Sequence, residues 1–134
     1  MLRTAVYATT ALGLSFSAAV AAPAVGLVGD KTLVMFDTET LAVSGTMDVS
    51  GVDSLLGIDL RPSNGTLVGV TPDMSIVSID TASGEATEMA KMDTALPLGD
   101  TPVIVDFNPA ADKLRFMTGT TNHRVDVDTG AVTV

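Results

Sequence analysis

The sequence predicts an all-β fold of propeller-like repeats: antiparallel blades of about 46 residues, in an incomplete set. Three observations predict it. First, "GIDLRPSNGTLVGVTPDMSIVSIDTASGEAT" and "IVDFNPAADKLRFMTGTTNHRVDVDTGAVT" align in order. Asp59 matches Asp106, Pro62 matches Pro109 and Leu67 matches Leu114, each 47 residues on. Asp80 matches Asp126 and Gly84 matches Gly130, each 46 on. Second, "TLVMFDTETLAVSGTM" is a partial third copy upstream, with Asp37 standing 43 residues before Asp80. Third, the segments inside each copy are short and rich in Val, Ile, Leu, Phe and Thr, and turn compositions separate them. The copies cover about 27–50, 55–92 and 102–134.

The elements follow from the N-terminus. "MLR" carries one base, Arg3, and an uncharged stretch then runs to small residues. Basic start, apolar middle and Ala19-Val20-Ala21 are the order of a secretory signal peptide over residues 1–21, cleaved before Ala22. Cleavage would leave no stable membrane span and a periplasmic or extracellular domain at 22–134. In that domain "TLVMFD", "LLGIDL", "GTLVGV", "SIVSID", "VIVDF", "KLRFMT" and "HRVDV" read as strands. "RPSNG", "TPD", "TASG" and "NPAAD" read as turns. Only "ATEMAKMDTAL" (86–96) fits both a helical face, through Met89, Met92 and Leu96, and a blade's outer strand.

Each copy thus has a first strand with Asp, a Pro turn, a second strand, a third strand ending in Asp, and a hairpin. A fourth strand is poorly marked. A closed propeller needs at least about four blades, and the domain supplies roughly two and a half copies. The chain ends six residues after Asp128, where a fourth strand would begin. The expectation is a partial domain, or one that self-associates through its unfinished blade.

The segments "LLGIDLRPSNGTL", "SIVSIDTASGEAT", "DFNPAADKLRFMT" and "HRVDVDTGAV" resemble those of exported bacterial proteins grouped as domain-of-unknown-function family 4394. The resemblance runs from about Val25 to Val134 and covers the first half of that family's domain. It departs at "VIVD", where the family carries Phe-Gly-Phe before Asp, and at "DV", where it carries Asn-Pro before D-T-G. It implies export and the repeat fold and brings no chemistry with it.

Composition excludes several functions. Hydrophobic residues make up 46% and charged residues 17%, which is a folding composition. A net charge of −9 argues against nucleic acid as a partner. The absence of cysteine removes disulfides, thiol catalysis and zinc–thiolate sites.

Among chemical candidates, Asp128-Thr129-Gly130-Ala131 is the D-T-G-A run of an aspartic protease. That mechanism needs two carboxylates sharing a proton, and the sequence has one D-T-G. The repeat offers another reading: Asp37, Asp80, Gly84, Asp126, Asp128 and Gly130 build one recurrent hairpin turn. Asp59, Asp106 and Asn108, near the ends of first strands, are the candidates for a metal, with calcium the cation that oxygen ligands favour. His123 reads as a surface turn residue without a nucleophile beside it. Arg61 and Arg115 read as partners of the chain's many acids. Asn64-Gly65-Thr66 reads as a hairpin turn before a glycosylation acceptor. The phenylalanines alternate with polar residues, as core residues do, which weakens a sugar-stacking role.

These readings predict an exported, non-enzymatic binding or scaffold domain without a cofactor, whose partner is a small molecule or protein. The rival is a metal-dependent propeller hydrolase or lactonase-like enzyme.

Overall fold

A computed structural model of the chain describes residues 22–100 and 102–134. The expected leader, residues 1–21, lies outside them. The described residues form strands and no helix: β1 (Pro23–Val28), β2 (Thr32–Asp37), β3 (Val43–Asp48), β4 (Gly57–Leu60), β5 (Leu67–Val70), β6 (Ser75–Ile79), β7 (Ala86–Lys91), β8 (Ile104–Asn108), β9 (Lys113–Thr118), β10 (Thr121–Val125) and β11 (Val132–Thr133). They make three antiparallel meanders, none closed: β1-β2-β3, β4-β5-β6-β7 and β8-β9-β10-β11.

Segment 86–96 resolves into strand β7, paired with β6 from Ile79↔Ala86 to Ser75↔Lys91 with a bulge at Ile76/Val77. Met92 and Leu96 lie beyond the strand and are buried. Their helical spacing reflects a loop folding back onto the core.

The middle sheet is covered on both faces. Strand alternation sends Val68, Val70 and Ile76 one way, into a core with Phe107, Leu114, Phe116 and Val125 of the last sheet. Leu67, Val77 and Ile79 go the other way, into a core with Leu33 of the first sheet and Val49 just beyond β3. Every residue of β5 is therefore buried. The near-continuous apolar run "TLVGV" follows from that two-sided burial. Strand β4 lies against β8. At Gly57 a side-chain carbon would stand 2.8 Å from Val105 Cγ2, so glycine permits that approach.

Among the described residues the three-stranded sheet is the first, where the last was expected to be incomplete. The last sheet holds four strands, because β11 pairs with β10 through Arg124↔Thr133 and Val125↔Val132. The first sheet holds three. In register, Phe36 opposite Ala24 takes the place of Ile79 opposite Leu67 and of Val125 opposite Leu114. Strands β1, β2 and β3 thus correspond to β5, β6 and β7. No described strand takes the place of β4 or β8 in the first sheet. "GLVGDKTLVMFD" had carried no first-strand Asp, and that was the readable sign.

Candidate functional site

The recurrent hairpin is one turn used three times. Asp37 Oδ1 accepts the N–H groups of Glu39 and Thr40, at 3.0 and 2.7 Å. Asp80 Oδ1 accepts those of Ala82 and Ser83, at 2.7 and 2.9 Å. Asp126 Oδ1 accepts those of Asp128 and Thr129, at 3.0 and 3.1 Å. The fifth residue of each turn donates its N–H back to the first carbonyl, and it has positive φ: 58° at Leu41, 76° at Gly84 and 77° at Gly130. Asp126 is therefore the residue that caps its turn.

Asp128 sits inside that turn with a carboxylate free for another task. It meets Arg61, the buried arginine of the β4–β5 turn. Arg61 Nη1 and Nη2 donate to Asp128 Oδ1 and Oδ2, each at 2.8 Å. Its Nε and Nη2 donate to Asp112 in the β8–β9 turn, at 3.0 and 2.7 Å to Oδ1 and Oδ2. A planar guanidinium with five N–H donors suits two carboxylates at once. The pair of forks ties two turns of the last sheet to one turn of the middle sheet. Arg61 holds both carboxyls below the ordinary Asp range, and they raise its own basicity further. A protease dyad needs a shared proton. Here Arg61 keeps Asp128 ionised, and the fork uses both of its oxygens.

A second feature is a cleft of about 770 Å³ between the β3–β4 loop and the β5–β6 turn. Lys31, Asp53, Ser54, Thr71, Asp73 and Glu88 are among its lining residues, and no aromatic ring is. Asp73 is its most engaged group. It accepts hydrogen bonds from Lys91 Nζ at 2.8 Å, Thr71 Oγ1 at 2.5 Å and Ser75 Oγ at 3.2 Å. Lys91, followed by the Thr71 hydroxyl, holds its carboxyl well below the usual range. The T-P-D-M-S spacing, with a hydroxyl two residues to each side of Asp73, was the legible signal for this cluster. Asp112 had a weaker one, its alignment with the Asn64-Gly65 turn.

The metal candidates do not converge. Asp59 Oδ2 accepts the Phe107 N–H at 2.6 Å, across the sheet boundary, and its Oδ1 accepts the Leu60 N–H at 2.8 Å. Asp106 stands 3.4 Å from Arg115 Nη1. Asn108 caps its own turn at the Ala110 N–H, 3.0 Å away. Among the described residues no three His, Asp or Glu side chains are grouped as a metal ion would need. His123 is a correction. It lies on β10, opposite Phe116, on the face turned to the core, and is 5% exposed. Its Nδ1–H donates to the Phe116 carbonyl at 3.1 Å, since a carbonyl only accepts. The period-2 pattern His123, Val125 shows why: both residues point inward.

These carboxylates set an acid response. Asp126 is lowered from 3.8 to about 2 by the Lys113 ammonium, and Asp112, Asp128, Asp37 and Asp80 are lowered by hydrogen-bond donors. A carboxyl with a depressed folded-state pKa contributes stability above its unfolded value and loses it as pH falls through the folded value. Melting temperature is therefore expected to hold down to about pH 4 and to fall progressively from there towards pH 2. Thermal melts across that range check it, and a flat profile below pH 4 would contradict it.

No helix among the described residues is long and apolar enough to cross a membrane. Fold and site together define an all-β protein of stacked antiparallel meanders joined by carboxylate pins. A family model described as "Domain of unknown function (DUF4394)" matches residues 32–134. The chain belongs to that family. No match was found among curated proteins.

Proposed function

We propose that this chain is an exported, non-enzymatic binding or scaffold domain whose three sheets are successive blades of a propeller-like array. The repeat supports the blade reading: each sheet is an antiparallel meander, the same capped turn recurs, and β4 lies against β8. The order of the leader supports export to the periplasm or outside. The cleft is the binding site, and a small polar molecule is its ligand.

The observation that carries a binding role is the chemistry of the cleft. Ser54, Thr71 and Ser75 line it without a histidine. Thr71 and Ser75 donate to an ionised Asp73 that Lys91 neutralises. Such a set recognises polar groups by hydrogen bonding and charge. Lys91 and the two hydroxyls already engage the Asp73 carboxylate, which suits holding a polar group in place. The competing reading is a metal-dependent hydrolase or lactonase-like enzyme with calcium at Asp59, Asp106 and Asn108.

One experiment separates them. The purified chain is screened by thermal shift against small polar metabolites, and its bound metal is measured. A ligand that stabilises the chain, and does so at least about tenfold more weakly in Asp73→Asn, supports binding at the cleft. Stoichiometric calcium, with ester or lactone turnover lost on chelation, would establish the enzyme instead.

A further inference from the structure

We infer that the open edge of β1 is a strand-addition site for an extended peptide of the pattern apolar–Asp–apolar. The inference deepens the blade reading above and rests on it. In the middle and last sheets a first strand covers the edge of the second strand: β4 on β5, and β8 on β9. Both first strands put Asp between apolar residues, "IDL" and "VDF", with Asp opposite Val68 and Arg115. Strand β1 holds the corresponding place in the first sheet, with Val25 at the register position of Val68. Among the described residues no strand pairs with its outer edge.

The chemistry of the occupant is written in the existing boundary. Asp59 of β4 reaches across to accept the N–H of Phe107, the next first-strand residue after Asp106. Leu60 is the counterpart of Phe107, because each follows the Asp and faces a leucine, Leu67 or Leu114. Phe107 is 4% exposed and Leu60 is 53% exposed. Among the described residues the N–H of Leu60 meets only the carboxylate of its own neighbour, Asp59. An added strand antiparallel to β1 would place its Asp at that N–H and its apolar flanks over Leu60. Main-chain bonds to β1 would supply affinity and the Asp the register. Pro23, at the start of β1, lies outside the four positions, Ala24 to Leu27, that match the β4-paired stretch of β5.

The test uses the purified chain and a synthetic peptide of sequence LLGIDLR, that of Leu55–Arg61. Fluorescence anisotropy is expected to show saturable binding, with slowed amide exchange at Ala24–Leu27. The Asp→Asn peptide is expected to bind about tenfold more weakly. Leu60→Asp in the chain, at a residue 53% exposed, is expected to weaken it similarly. No binding at millimolar peptide, equal binding of a scrambled peptide, or protection away from β1 would overturn the inference. A chain occupied by a second copy at this edge, so that it refuses the peptide, would overturn it too. Small-angle scattering on the same sample keeps the two ideas apart: a stacked three-sheet particle that refuses the peptide leaves the blade reading standing.

Discussion

Arg61→Ala is expected to lower the melting temperature by roughly 10 °C, through a loss of about 2–3 kcal/mol. Removing one partner of a buried charge pair costs about 3–5 kcal/mol. The figure here is smaller because Asp112 and Asp128 keep 36% and 59% of their side-chain surface, so water screens part of the loss. Arg61 itself is nearly covered, and its fork geometry matters as well as its charge. Arg61→Lys is therefore expected to recover less than half of the loss, since an ammonium cannot meet two carboxylates in plane. Asp128→Asn alone is expected to cost about 1 kcal/mol, because Asp112 still holds the arginine. Combined with Arg61→Ala it should add little, as groups sharing one network are not independent. Thermal melts of the four variants decide it. Additive losses would show that the fork is not one unit.

Gly130→Ala is expected to be the most damaging small substitution in the chain, at more than about 3 kcal/mol. Positive φ accounts for about 1–2 kcal/mol of that. The rest comes from the neighbouring sheet: a side-chain carbon at Gly130 would overlap the backbone carbonyl oxygen of Lys91, at the end of β7. The contact is a built junction, since the Asp93 N–H donates to the Gly130 carbonyl at 2.9 Å. Gly84 repeats the arrangement one sheet earlier. There a side-chain carbon would stand 2.8 Å from the Asp48 carbonyl oxygen, and the Ser50 N–H donates to the Gly84 carbonyl at 2.9 Å. Leu41 holds the same place in the first turn, at φ 58° and 71% exposed. No described sheet precedes it, so a side chain is tolerated there. Leu41→Gly is accordingly expected to change stability by no more than about 1 kcal/mol. Chemical denaturation of the two variants tests the ranking. A Gly130→Ala protein as stable as the parent would mean that the sheets do not meet as described.

The turn chemistry was legible because it is local. An Asp followed two and three residues later by N–H groups, with a residue at positive φ to close the turn, needs no distant contact. Strand character was legible for the same reason, from alternation and composition. His123 was misjudged because its neighbours Asn122 and Arg124 are polar, which is what a strand with one face outward looks like. Segment 86–96 was ambiguous because Met92 and Leu96 are buried by the shape of a loop. The last sheet was expected to be incomplete because its fourth strand, β11, is only two residues long.

By itself, then, the amino-acid order determined the β character, the three capped Asp turns and the glycines that close two of them. These depend on interactions within a few residues, which spacing and side-chain type already state. Only the tertiary structure decided which acids Arg61 holds, which face of each strand meets the next sheet, and that among the described residues β1 is the edge strand of the three-stranded sheet. Asp112 and Asp128 lie 51 and 67 residues from Arg61 along the chain. Their meeting follows from how the middle and last sheets stack, and side chains with the same local pattern, such as Asp106 and Arg115, end on an outer face instead.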